Sequence, residues 1–336
     1  MGKFLESEKL SQTKFKTNSL YFSETTRADG IYKGKLRPFC LPLDCVEENL
    51  FPEIRKSALS YFADYNIKWH DELKSNSGKP SNHLCDSQVC CVNFLFPFTK
   101  EPHILAELLK PFFPNLQEIL PIENNQYVVF EWIGLQNYLG EKIRGNGKRT
   151  RGANFTSADA AVMFQTNNGV KQVVLIEWKY TESYGSTDFK FSKHGTDRTE
   201  IYKPFYKQND CPLNKDLLPS FDSLFYEPFY QLMRQQFLAH EMEKAHELGA
   251  DIVTVLHIAP AKNTDFHKIT SPELSKLGET VIDVWKRLVQ KEDRFISVNT
   301  ERLFCNLFTN KLPEMQAWSD YIGKRYSWIQ EGSANY

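Results

Sequence analysis

The stretch QVVLIEWKYTESYG, residues 172–185, constrains this chain more than any other. Val173, Val174, Leu175 and Ile176 form an unbroken apolar run of strand length, the pattern of a strand buried on both faces. Burial excludes charge, yet the run ends in Glu177, Trp178 and Lys179. A strand alternates sides, so Glu177 and Lys179 project to one face and Trp178 to the other. An acid and a base so placed form either a structural ion pair or part of a reactive centre.

A second acid decides which to pursue. Asp159 interrupts SADAAVMFQT, an otherwise small and apolar strand, and Asn167, Asn168 and Gly169 separate the two strands. A two-residue turn at Asn168-Gly169 sets Asp159 opposite Trp178, on the wrong face. A three-residue loop over 167–169 pairs 166 with 170 and sets Asp159 opposite Glu177. Three-residue hairpin loops favour a left-handed glycine at their last position, which Gly169 occupies. Two carboxylates this close repel unless a cation sits between them. Mg²⁺ answers that need: it takes one or two carboxylates, keeps several waters, and lowers the pKa of a bound water. Lys179 beside them suits an orienting or charge-neutralising role. In chemical terms the set is a metal-dependent phosphodiesterase site.

Around it, HILAELLKPFF reads as a helix ending near Pro111 or Pro114, and NQYVVFEWIG as a strand. EPFYQLMRQQFLAHEMEKAHELG is a helix with Pro228 near its first turn and Gly249 near its end. ADIVTVLHIAP is another buried strand. The order is helix, three strands, helix, strand. SAD followed by IEWK within this order resembles the PD-(D/E)xK nuclease superfamily. The stretch RGANFTSADAAVMF with VVLIEWKYTESYG resembles an uncharacterised restriction-endonuclease-like bacterial family within it. Ala158 stands where that motif has proline. The resemblance implies an α/β restriction-endonuclease-like core with a mixed β-sheet flanked by helices. It implies that Asp159 and Glu177 bind Mg²⁺, with Mn²⁺ able to substitute, and that Lys179 assists the attacking water. It covers roughly residues 101–262. Residues 1–100 are then a mainly helical segment packed on the core, and 263–336 an α/β extension with further helices.

The same resemblance asks for a further acid and a polar helix residue. Glu131 ends the strand YVVFEW, with Glu141 the other candidate; the bland reading of either is a solvated acid. On the long helix, Phe229, Leu232, Met233 and Phe237 form an apolar stripe, with Gln231, Arg234 and Gln235 opposite. Gln231 is chosen as the residue beside the metal, against the alternative of an exposed helix face.

Net charge is −1 over 336 residues, so nucleic-acid contacts must come from local patches rather than a global field. The loop EKIRGNGKRTR supplies Lys142, Arg144, Lys148, Arg149 and Arg151 just before the Asp159 strand, as a phosphate-backbone contact or a merely solvated loop. From Tyr184 to Tyr206, Phe189, Phe191, Tyr202, Phe205 and Tyr206 alternate with cations, fit to stack bases or to pack as a lid. Seven cysteines, an odd number, match free thiols in a reducing cytoplasm. HLCDSQVCC lacks the spacing of a metal site, so its thiols read as buried. No apolar run is long enough to span a bilayer, and the N-terminus has no signal core. The expectation is a cytoplasmic, Mg²⁺-dependent nuclease acting on DNA, free to form a homodimer. The alternatives are an RNA or structure-specific nuclease, and a catalytically idle nucleic-acid-binding scaffold.

Overall fold

The computed structural model describes residues 2–71, 78–142, 148–153, 155–193, 195–310 and 312–332. Its centre is the hairpin of β5 (Ala158–Thr166) and β6 (Lys171–Trp178). The turn is the three-residue loop: the Thr166 N–H donates to the Val170 carbonyl at 2.9 Å, and Gly169 has φ +81°. Pairing then runs from Gln165 with Lys171 to Ala160 with Ile176. β7 (Ile252–Ala259) lies parallel to β6, and β8 (Phe295–Asn299) parallel to β7. On the other side of β5 lie β3 (Leu116–Leu120) and β4 (Val128–Trp132), both antiparallel, along successive halves of it. The result is a six-stranded mixed sheet. Sequence reading missed β3, whose LQEIL alternates poorly and buries only Leu116 and Ile119.

Helices cover both faces. α1 (Lys3–Asn18), α2 (Arg55–Asp64), α3 (Ser87–Leu95) and α4 (Pro102–Leu109) share one apolar cluster with α8 (Thr300–Asn310), α9 (Gln316–Arg325) and α10 (Trp328–Gly332). That cluster packs on Val162, Phe164, Val174, Ile176 and Trp178. α5 (Thr199–Lys207), α6 (Phe229–Lys244) and α7 (Val281–Leu288) pack on Ala161, Met163, Val173 and Leu175. The alternation of apolar side chains along β5 and β6 therefore builds two cores from one hairpin. This is the restriction-endonuclease-like α/β architecture that the strand order implied. An unexpected two-stranded piece, β1 (Gly30–Tyr32) with β2 (Lys35–Arg37), stands in the N-terminal region. Its turn, Lys33 and Gly34, has φ +47° and +74°. Lysine is a poor signal for a left-handed turn position, so the sequence hides this hairpin.

Candidate active site

The two central strands part at one end, and the acids sit at the fork. β5 and β6 pair as far as Ala160 and Ile176; Asp159 and Glu177 are the next facing positions. From there β6 continues only along β7, with Glu177 beside His257 and the Lys179 N–H donating to the Ile258 carbonyl at 2.8 Å. β5 continues only along β4, with Ala158 beside Trp132. The Trp178 N–H, left without a strand partner, donates to Oδ2 of Asp159 at 2.7 Å. Glu131 falls between two paired positions and so faces Asp159. Glu131, Asp159, Glu177 and His257 thus lie in one row across four neighbouring strands.

Charge in this row is concentrated and poorly compensated. Glu177 and Lys179 are both buried and touch at 2.6 Å. Burial works against the charge on Lys179, but Glu177, Glu182 and Asp159 outweigh it and hold the amine well above its ordinary pKa. Lys179 is therefore a cation at any physiological pH, a donor rather than a base. Burial raises Glu177, and the attraction of Lys179 does not fully reverse that. Asp159 is pushed well above the carboxylate range, first by burial and then by the negative charge of Glu177. Burial and Glu177 also raise Glu131 against the hydrogen bonds that favour its charge. Lys179 stands against three acids, with Arg234 adding attraction on Glu177 and Arg151 on Glu131.

The surrounding elements hold each group. The Lys179 amine donates to Oε1 of Gln231 at 2.7 Å, so Gln231 meets the site through lysine. One turn along α6, Gln235 is buried and donates from Nε2 to Oε2 of Glu177 at 2.9 Å, and also to the Ser157 carbonyl. The Gln231, Gln235 face thus looks into the sheet and not to solvent, with Gln235 a contact that sequence reading did not single out. The i, i+4 spacing of the two glutamines was the available signal. Glu227, just before α6, was also missed; it is raised by burial and feels Lys179, Arg234 and Glu177.

Glu131 is not a solvated strand-end acid. It is buried and has φ +51°, a left-handed conformation uncommon outside glycine. The kink resets the alternation of β4, so Trp132 joins the same core cluster as Val129. The Glu131 carboxylate then accepts from Nε2 of Gln88 on α3 at 2.6 Å and from the Ser157 hydroxyl at 2.8 Å. Glu141 belongs elsewhere. It accepts from the Thr156 N–H at 2.7 Å, the Thr156 hydroxyl at 2.6 Å and the Tyr202 hydroxyl at 2.8 Å, with Arg234 at 3.9 Å.

The basic loop splits. Arg144 lies outside the described residues, while Lys142 and Lys148 are exposed. Arg149 and Arg151 turn inward, a correction to their reading as phosphate contacts. Arg149 donates to the carbonyls of Ile133 and Gly134. Arg151 is buried, donates to the Phe130 and Glu131 carbonyls, and pairs with Glu123 at 2.8 Å. Those carbonyls lie at and beside the kink, so both arginines brace β4. In the aromatic segment, Phe189, Tyr202, Phe205 and Tyr206 pack on the α6 cluster, while Phe191 is exposed. All seven cysteines are free, five of them buried.

Among the described residues no three His, Cys, Asp or Glu side chains form a metal cage by themselves. Mg²⁺ does not require one, because it is often held by one or two carboxylates and completed by water and substrate phosphate. Among the described residues no helix is long and apolar enough to cross a membrane. A family model described as Restriction Endonuclease associating with ARP matches residues 8–327. The chain belongs to that family. No curated protein and no solved structure matches it.

Proposed function

We propose that this member of the restriction-endonuclease family is a Mg²⁺-dependent nuclease of the PD-(D/E)xK kind, hydrolysing phosphodiester bonds in DNA. The observation that carries the reading is the fork: Asp159 and Glu177 face each other where the ladder opens, with Lys179 one alternation further on. The donor set fits a hard divalent cation: Asp159 and Glu177 are two facing carboxylates whose ionised forms are disfavoured first by burial and, for Asp159, next by the charge of Glu177, and a bound cation would favour both. Asp159 and Glu177 would hold the ion, with Mn²⁺ able to replace Mg²⁺.

When bound, Mg²⁺ supplies a Lewis acid for a phosphoryl oxygen and an acidified water. The chain's own residues do the rest. Lys179 exchanges its contact with Glu177 for the charge that develops on the phosphoryl group, where a preorganised donor acts most strongly. Gln231 keeps the amine in place during that exchange. Gln235 holds the second oxygen of Glu177, and Glu131 extends the negative field on the α3 side. The family description also names association with ARP, and we carry that association to this chain as part of the reading.

Incubation of the purified protein with plasmid, linear DNA and RNA, with and without Mg²⁺, tests the reading. Cleavage of DNA that requires Mg²⁺ and vanishes in Asp159→Ala supports it. Cleavage of RNA alone shifts the substrate. Absence of any cleavage, with nucleic-acid binding retained, favours the idle scaffold, a reading supported by the closed Glu177–Lys179 pair.

A further inference from the structure

With Arg149 and Arg151 turned inward, the β1–β2 hairpin offers a cationic surface built on paired strands. Residues 30–43 carry Lys33, Lys35 and Arg37 and no acid. Among the described residues no carboxylate pairs with these three. Lys33 and Lys35 are exposed, and Lys33 lies over the Tyr32 ring at 4.8 Å. Ile31 and Leu36 face each other across the two strands and remain 56% and 64% exposed. By strand alternation Ile31 and Leu36 share one face of the ribbon while Lys35 and Arg37 share the other, so the hairpin presents an apolar face and a cationic face.

Its base is fixed, not hanging. Asn82 donates from Nδ2 to the Ile31 and Leu41 carbonyls at 3.0 and 2.9 Å. The Tyr32 hydroxyl donates to Asp71 at 2.5 Å, and its ring meets His83 edge-on at 5.0 Å. The same loop runs on to Asp86, which caps α3 by accepting from the Val89 N–H at 2.8 Å. Two residues further, Gln88 grips Glu131. Thr181, two residues beyond Lys179, donates to the Cys85 carbonyl at 3.3 Å. The segment 82–88 therefore holds the hairpin at one end and Glu131 at the other, with Thr181 bonded to it at Cys85.

We propose that the β1–β2 hairpin is a nucleic-acid-binding arm: Lys33, Lys35 and Arg37 hold the phosphate backbone of a duplex, and Ile31 with Leu36 packs against sugars or base edges. The inference rests on the nuclease reading, and charge complementarity selects the occupant. An arm anchored on the 82–88 segment, which also grips Glu131 through Gln88, would hold a bound backbone in a fixed relation to the acid row. Two-stranded ribbons fit nucleic-acid grooves.

The test is the variant Lys33→Asn, Lys35→Thr and Arg37→Thr, with Ile31→Ser and Leu36→Ser as a second variant. Asparagine tolerates the left-handed turn position and threonine suits strands, so melting temperature and Mn²⁺ affinity should stay at wild-type values. Duplex affinity is measured in Ca²⁺ across salt concentrations. The expected result for the charge variant is a loss of about tenfold or more near 0.1 M salt, with a salt slope shallower by roughly 0.9 per lost contact. The apolar variant should weaken affinity without changing the slope. Unchanged affinity and slope in the charge variant overturn the inference. So does an effect on binding to anionic vesicles alone, or dissociation of a dimer in the apolar variant with duplex affinity intact. If the wild-type protein itself binds no nucleic acid, the nuclease reading fails and this inference with it.

Discussion

Lys179 cannot be removed without consequence for its partner. It and Glu177 form a buried contact, and breaking such a pair costs about 3–5 kcal/mol when the remaining charge has no exit. Glu177 has one, because it can bind a proton. Lys179→Met should therefore lose little stability at low pH and progressively more as pH rises through the raised pKa of Glu177. Denaturant unfolding at several pH values checks this. Activity should fall by about 10²–10³ if the amine acts on developing charge, with Mn²⁺ affinity much less affected. Asp159 behaves differently. Its folded pKa lies above the unfolded value, so the folded state holds a proton that the unfolded chain has released. That stability is complete below the ordinary carboxylate pKa and is lost as pH rises through the raised one. Asp159→Asn keeps an acceptor for Trp178 and has no charge to bury. It should gain on the wild type by up to about 1.4 kcal/mol per pH unit across that window, and stay level below it. Equal pH slopes for the two proteins would contradict the assigned burial and repulsion.

At the scale of elements, the hairpin was legible because its constraints are local. An apolar run, a turn with glycine last and strict alternation together fix which residues face one another. Gly169→Ala has open space around it, with only Gln165 at 3.9 Å, but must adopt φ +81°. It should cost about 1–2 kcal/mol in unfolding experiments while leaving the register intact. The kink at Glu131 was not legible, because glutamate carries no signal for left-handed backbone and its partners Gln88, Ser157 and Arg151 come from elsewhere in the sequence. On α6 the apolar stripe pointed to Gln231 but not to Gln235, because a helix covered on most sides also buries residues off its stripe. Gln235→Leu tests that face. It strips a donor from the buried Glu177 carboxylate and the Ser157 carbonyl, so stability should fall by about 1–3 kcal/mol. Wild-type stability in that variant would mean that Gln235 does not hold Glu177.

For the whole molecule, the three-layer arrangement explains why residues far apart in sequence meet at one acid row. The face of the sheet under α1–α4 and α8–α10 supplies Gln88 and Thr181's partner; the face under α5–α7 supplies Gln231, Gln235 and Glu227. The sequence order of strands and helices gave the core architecture. It did not reveal that N-terminal residues reach the acid row, because the Gln88–Glu131 contact spans 43 positions and leaves no periodic trace. Nor did composition show which cations are free: Arg149 and Arg151 look like a basic loop until the carbonyls they serve are seen. The central claim is that the Asp159–Glu177 fork is a divalent-metal centre. Titration of the protein with Mn²⁺, followed by the loss of the free-ion electron paramagnetic resonance signal, tests it most directly. One Mn²⁺ should bind the wild-type protein, more tightly as pH rises and the carboxylates lose their protons, and binding should be lost in Asp159→Asn. Undiminished Mn²⁺ uptake by that variant, or none by the wild type, would contradict the account.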